Sequence, residues 1–168
     1  MHQHATKQGV IIMRKLPAAL ATLGLASLAA IVPATSAQAS TACDNAWARA
    51  SSGSFYAYDY TNCSSSLGST ESWDSNWGNS SGPFQGTDNN RASSVLHKGT
   101  SGKAVAVYNS TQTPDPDATW TGGHTCISKA EYYVDDLSRN TFTGGVNVNN
   151  AISAHKWVWN SACGKFMS

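Results

Sequence analysis

The chain has 168 residues, of which 12% are charged, and eleven basic against ten acidic side chains give a formal net charge of +1. That length leaves room for one domain once any leader is removed, and Lys and Arg are scattered singly, which excludes the basic stripe of a nucleic-acid surface. An even count of four cysteines suits an exported chain.

The first segment reads as an export signal. Arg14 and Lys15 precede an apolar run over 16–32 that ends in Ala37-Gln38-Ala39, giving the basic, apolar and small-residue parts of a secretory leader. The Pro, Gly and many Ala in the run argue against a permanent membrane span. Cleavage is expected after Ala39. Residues 1–12 sit oddly ahead of the basic pair, and Met13 makes a more ordinary start, so no function is assigned to His2 or His4. The expected mature protein, 40–168, is a single secreted, monomeric domain with no membrane attachment. The leader takes Lys7, Arg14 and Lys15, leaving eight basic and ten acidic residues, a net charge of about −2.

All four cysteines, Cys43, Cys63, Cys126 and Cys163, follow the cleavage site. Three pairings into two disulfides exist, and Cys43–Cys63 with Cys126–Cys163 is favoured because each ties a terminus onto a nearby strand. A metal site around His124-x-Cys126 would need ligands spaced more closely than this chain offers.

Short alternating runs bounded by Gly, Ser, Asn and Pro recur after Ala50, and helical periodicity does not, so the domain is expected to be all-β. A brief helix is expected over 45–50. The first strand is Phe55-Tyr56-Ala57-Tyr58-Asp59, followed by a turn-rich 61–68 and a polar stretch, 72–82, carrying Trp73 and Trp77. Asn89-Asn90-Arg91-Ala92-Ser93-Ser94 then leads into the strand Val95-Leu96 and a connector over 98–102. The order repeats: Ala104-Val105-Ala106-Val107-Tyr108-Asn109 stands fifty residues after the first strand, and Asn149-Asn150-Ala151-Ile152-Ser153-Ala154 stands sixty after the first hexapeptide. About ten extra residues therefore fall in the second copy, most simply in the loop over 110–123, which holds Pro114-Asp115-Pro116-Asp117. Further strands are expected at Cys126-Ile127, Tyr132-Tyr133-Val134 and Trp157-Val158-Trp159, with a helical turn at 135–139. Two copies of one unit, each with about four short strands, fit a pair of Greek keys packed as a sandwich.

The first hexapeptide matches every defined position of the calcium motif of the βγ-crystallins, (N/D)(N/D)-x-x-(S/T)-S. The second matches all but the last, where Ala154 replaces Ser. Tyr58-Asp59 and Tyr108-Asn109 also resemble the strand ends that open each crystallin Greek key. The resemblance covers nearly the whole mature chain and implies a βγ-crystallin-like sandwich of two Greek-key motifs, one over about 50–98 and the other over about 103–160. It further implies calcium between the keys, held by Asn89, Asn90 and Ser93 and by Asn149, Asn150 and Ser153, with Asn90 meeting Ser153 and Asn150 meeting Ser93 across the copies. Calcium accepts six to eight hard oxygens in irregular geometry, but every side chain here is neutral and Arg91 adds a cation, so binding should be weak, on the order of 10⁻⁴ to 10⁻³ M. The same residues also serve loops without an ion, since Asn tolerates turn conformations and Ser hydroxyls bond local backbone.

The leader, the double Greek key, two disulfides and the asparagine-serine motifs together resemble secreted bacterial peptidase inhibitors related to the microbial metalloproteinase inhibitor. That resemblance implies a secreted protease, a metalloprotease in particular, as partner. The candidate inhibitory loop is 110–123, with Pro114, Asp115, Pro116 and Asp117 at its tip and Asp115 or Asp117 as a zinc-facing carboxylate. The family's reactive segment lies in a small disulfide loop, and Cys126 has no close cysteine neighbour. A solvated, proline-stiffened insertion is the plain alternative.

Catalytic motifs are missing. There is no H-E-x-x-H, no G-x-S-x-G and no phosphate-binding glycine loop. The mature histidines His97, His124 and His155 are far apart and expected at the surface or at strand ends, and Glu71 and Glu131 are the only glutamates. The six tryptophans offer a second class of function, an extracellular glycan or cell-wall-binding module, with Trp157 and Trp159 on one strand face. Most of them should nevertheless fill a core short of Leu and Ile.

Overall fold

The computed structural model describes residues 40–168; the expected leader, cleavage site and Met13 start lie outside the described residues. The chain opens with α1 (Thr41–Arg49), capped by the Ser40 side chain accepting from the Cys43 N–H. Seven strands follow: β1 (Phe55–Tyr60), β2 (Ser64–Thr70), β3 (Ser94–His97), β4 (Ala104–Tyr108), β5 (His124–Ile127), β6 (Tyr133–Val134) and β7 (Ala154–Val158). Short 3-10 turns occupy Gly86–Asp88, Lys129–Glu131, Leu137–Arg139 and Asn160–Ala162.

Two antiparallel sheets form, one in the order β2-β1-β3-β6 and the other β5-β4-β7. The two halves interlock. β6, from the second half, pairs with β3 of the first through Val95 and Val134. Reciprocally, Asp74 of the first half forms a bridge with His155 of β7, with N–H to O distances of 2.9 and 2.8 Å. Each half therefore sends its third segment to the sheet of the other, so neither Greek key closes its core alone. This is an all-β sandwich of two Greek-key motifs.

The core follows from the two-residue alternation of the strands. Phe55 and Ala57 of β1, Val95 of β3, Val105 and Val107 of β4 and Ile127 of β5 meet between the sheets, joined by Trp77, Phe84, Phe142 and Ile152 from the connections. The other face of β4, made of Ala104, Ala106 and Tyr108, is covered by Trp120 and by Cys126 and Ala154, a second and smaller cluster. Small residues on that face let the loop over 110–123 lie close to the sheet.

Three local expectations change. The region over 61–68 is not all turn: the chain reverses at 61–63, with Asn62 and Cys63 both at positive φ, and β2 begins at Ser64. His155 lies within β7 and is fully buried, neither at the surface nor at a strand end, while His97 closes β3 as a strand-end residue but is buried there. Strand β7 starts at Ala154 and ends at Val158, so Trp159 lies beyond it, 61% exposed, and does not share a strand face with Trp157. The insertion is where the repeat offset puts it, between β4 and β5. Cys43–Cys63 and Cys126–Cys163 are the disulfides.

Candidate functional site

The two hexapeptides come together at the pseudo-two-fold centre of the sandwich. Asn90 and Asn150 both take left-handed backbone, at φ 58° and 54°, a conformation that asparagine adopts more readily than other side-chain-bearing residues. The Asn90 N–H donates to Ile152 C=O at 3.0 Å and the Asn150 N–H to Ala92 C=O at 2.9 Å. Ser93 and Ser153 are placed by their own keys, their N–H groups donating to Tyr58 and Tyr108 C=O, each at 2.8 Å.

Across the copies, the Ser153 hydroxyl donates to Asn90 Oδ1 at 3.0 Å and the Ser93 hydroxyl to Asn150 Oδ1 at 3.2 Å. Asn90 thus meets Ser153, and Asn150 meets Ser93. The first asparagine of each motif is the more telling. Asn89 Oδ1 and Asn149 Oδ1 are both buried and both lack a hydrogen-bond partner. A buried amide oxygen without a donor costs about 1–3 kcal/mol, and here the same orphan occurs twice at equivalent positions. Hard, neutral oxygens held this way fit a calcium ligand set.

Arg91 does not point its charge at the site, because its guanidinium pairs with Asp59. Nor does Ser94 face the site: its hydroxyl donates to Tyr60 C=O at 2.7 Å and accepts from the Cys63 N–H at 3.0 Å. Ala154, its counterpart, is buried against the second cluster. Among the described residues no group of three or more His, Cys, Asp or Glu gathers.

The loop over 110–123 is a separate feature, and it is pinned from below. Trp120 Nε1 donates to Asp115 C=O at 2.8 Å, and Lys156 Nζ, rising from β7, donates to Pro116 C=O at 3.1 Å and Ala118 C=O at 3.0 Å. Gln112 spans its base through two bonds of 2.9 Å to the Thr121 backbone. Burial lowers the Lys156 pKa, opposed by Asp117 and Asp115. The side chains of Pro114, Asp115 and Asp117 are exposed, and the Asp117 N–H donates to Asp115 Oδ1 at 2.9 Å. The anchor is the second cluster, where Trp120 and the Cys126–Cys163 disulfide meet.

Sequence reasoning missed the buried histidine. His155 Nδ1 accepts from Trp77 Nε1 at 3.0 Å, inside a cage of Phe55, Trp77 and Phe84. Burial drives its pKa down to about 3, opposed by the Ser72 backbone, and its Nε2 is buried without a hydrogen-bond partner, so the ring is neutral near pH 7. The signal was available: His155 occupies the position in β7 that Val95 occupies in β3, an inward one.

No protein-family model matches the chain, and no curated protein does. A solved structure from work on the evolution of the eye lens beta-gamma-crystallin domain fold is similar over 66% of this chain and 89% of that one, at 16% identity and a TM-score of 0.44. The strand order and the interlocked keys define the class here: an all-β sandwich of two Greek-key motifs. Its two disulfides are compatible with an extracellular setting, and among the described residues no helix is long and apolar enough to cross a membrane.

Proposed function

We propose that this chain is an exported binding module, calcium-stabilised at the two hexapeptides, whose 110–123 loop inhibits a secreted peptidase. The observation that carries the inhibitory reading is the fixation of three backbone carbonyls, at Asp115, Pro116 and Ala118, by Trp120 and Lys156 beneath an exposed acidic tip. A loop held in one conformation loses little entropy on binding, and one that stays in place after contact resists being drawn through a cleavage site. The carboxylate of Asp117 is the group offered to a metalloprotease zinc. The anchoring replaces the small disulfide loop of the family that the chain resembles.

In the calcium reading, Asn89, Asn90 and Ser153 would serve one ion and Asn149, Asn150 and Ser93 the other, with nearby carbonyls completing each set. Calcium would supply cross-linking of the two keys. With neutral ligands, millimolar calcium should add about 1 kcal/mol per site.

The test is an inhibition panel across protease classes with the purified mature domain. Inhibition of a thermolysin-like metalloprotease is expected, weakened more than tenfold by Asp117→Ala. Lys156→Met should convert the domain into a substrate cut within the loop. Inhibition of no class, or inhibition indifferent to both variants, overturns the reading. Calcium is tested separately by melting: a rise with millimolar calcium that Asn89→Ala and Asn149→Ala each reduce is expected, and an unchanged midpoint sinks the ion sites.

A further inference from the structure

Away from the hexapeptides and the pinned loop, one stretch of surface collects aromatic rings and cations. Three cavities adjoin there. The first, about 370 Å³, is lined by Asp44, Trp47, Tyr132 and Tyr133. The second, about 230 Å³, shares Trp47 and Tyr132 with the first and adds Lys98 and Lys129. The third, about 310 Å³, shares Thr100 with the second and continues to Lys103, Glu71 and Trp157. Linked through these shared lining residues, they follow one another along the connector that joins the two keys, and we treat them as one groove.

Its parts come from α1, from the β1 entry, from the connector and from the β6 entry, and each is fixed. Trp47 rides on α1, which the Cys43–Cys63 disulfide ties to the β1–β2 turn. Lys98 Nζ sits 3.3 Å from the Trp47 ring centroid and donates to Trp47 C=O at 2.6 Å. Tyr132 meets the Trp47 ring edge-on at 5.2 Å. At the other end Gly99 is required, because a Cβ there would lie 2.5 Å from the Trp157 ring.

Tyr132 is the unusual residue. Its backbone lies at φ 58° and ψ −50°, outside the regions open to a bulky side chain without strain, while the residue remains 54% exposed. Its carbonyl accepts from the His97 N–H at 2.7 Å, which holds the strained turn. Strain kept at an exposed aromatic ring points to a use for that ring at the surface. Groups suited to hydroxyls and carboxylates follow: Ser52, Thr100 and the cation Lys129 share its cavity, and Ser101 and the cation Lys103 line the next one along with Trp157. Of the two acidic side chains, Asp44 already accepts from the Tyr133 hydroxyl at 2.7 Å.

Aromatic faces spaced along a groove take flat, weakly polar ring faces, and lysines between them favour a carboxylate on the same ligand. A single nucleic-acid strand would also stack, but the described chain carries more acid than base and offers no continuous basic track for phosphates. We propose that this groove binds a linear acidic polysaccharide, its sugar rings stacked on Tyr132 and Trp157 and its carboxylates paired with Lys129 and Lys103.

The experiment measures binding of the mature domain, in calcium-free buffer, to hyaluronate, alginate and polygalacturonate, each beside its carboxyl-reduced neutral form. Binding to at least one acidic polymer is expected, weaker by tenfold or more after carboxyl reduction, and falling with salt. Tyr132→Ala should weaken it at least tenfold, Tyr132→Phe should restore most of it, and Lys129→Gln should cost several-fold, each measured well below the melting midpoint, which Tyr132→Ala lowers slightly through the lost Trp47 contact. Peptidase inhibition should be untouched by these variants, so failure here is separate from failure of the inhibitory loop. The proposal is overturned if none of the three polymers binds, or if Tyr132→Ala and Lys129→Gln together leave binding intact. It is equally overturned if polyglutamate or oligothymidylate binds more tightly than all three.

Discussion

The two hexapeptides differ at their last residue, and the difference belongs to the turns, not to the ion sites. In the first copy the Ser94 hydroxyl joins Tyr60 C=O to the Cys63 N–H, bracing a reversal of only three residues in which Asn62 and Cys63 both run left-handed. In the second copy that reversal is replaced by the long loop between β4 and β5, so a hydroxyl at 154 would find no such turn, and Ala154, paired with Tyr108 across the sheet, sits in the apolar cluster that includes Trp120 instead. Asn90 with Ser153 and Asn150 with Ser93 are alike in both copies. One position has therefore drifted with the loop beside it, while the positions facing the centre have kept one geometry.

The same contrast runs through the disulfides, and breaking them should give the largest effects. Cys43–Cys63 closes 20 residues and braces the tight reversal, whereas Cys126–Cys163 closes 37 and ties β5 to the C-terminal segment beneath the pinned loop. By loop-closure entropy, replacing the second pair with alanine should cost roughly 4 kcal/mol and replacing the first roughly 3 kcal/mol, read by urea unfolding of the two double variants. Peptidase inhibition should fall only with the second. Equal loss of inhibition in both would mean that the loop is not held by its own half.

Next in size is the contrast between Val95 and His155 at equivalent inward positions. Val95 does not titrate. His155 has a folded pKa near 3 against an ordinary value of 6.5, so between those values the unfolded state binds the extra proton and stability falls as pH falls. The loss should be roughly 2–3 kcal/mol between pH 7 and pH 4.5, with His97, also lowered by burial, adding in the same direction. Urea midpoints of the wild type and of His155→Gln across that range check this. The variant keeps an acceptor for Trp77 and should flatten the slope; an unchanged slope would place the titration elsewhere.

How much of this was legible depended on whether one segment or several made the feature. The repeat offset of fifty growing to sixty located the insertion, and alternation marked β1, β3 and β4, because in each an apolar face is written in consecutive residues. Strand β2, Ser64–Thr70, is hydroxyl-rich and largely exposed at the sheet edge, so it carries no alternation to read. The burial of His155 was hidden by its polarity and visible only by alignment with Val95. The orphaned Asn89 and Asn149 oxygens, the Lys156 anchor and the strained Tyr132 depend on contacts between distant segments, which spacing within one segment does not encode. Arg91 was misleading for the same reason: its partner, Asp59, lies 32 residues away.

The smallest predicted effect cuts closest to the comparison. Ser94→Ala removes two hydrogen bonds at a braced turn and leaves the Cys63 N–H without an acceptor, a cost of about 1–2 kcal/mol. Restoring the full motif in the other copy, by Ala154→Ser, should not improve anything. Ala154 is fully buried among apolar groups, and a hydroxyl there lacks the turn that Ser94 serves, so the variant should lose about 1 kcal/mol or more. Thermal melts with and without calcium separate the two accounts. If the last motif residue serves the turn, both variants shift stability equally in either buffer. If it serves the ion, Ala154→Ser gains stability only when calcium is present, and the division between turn and site drawn from Ser94 falls.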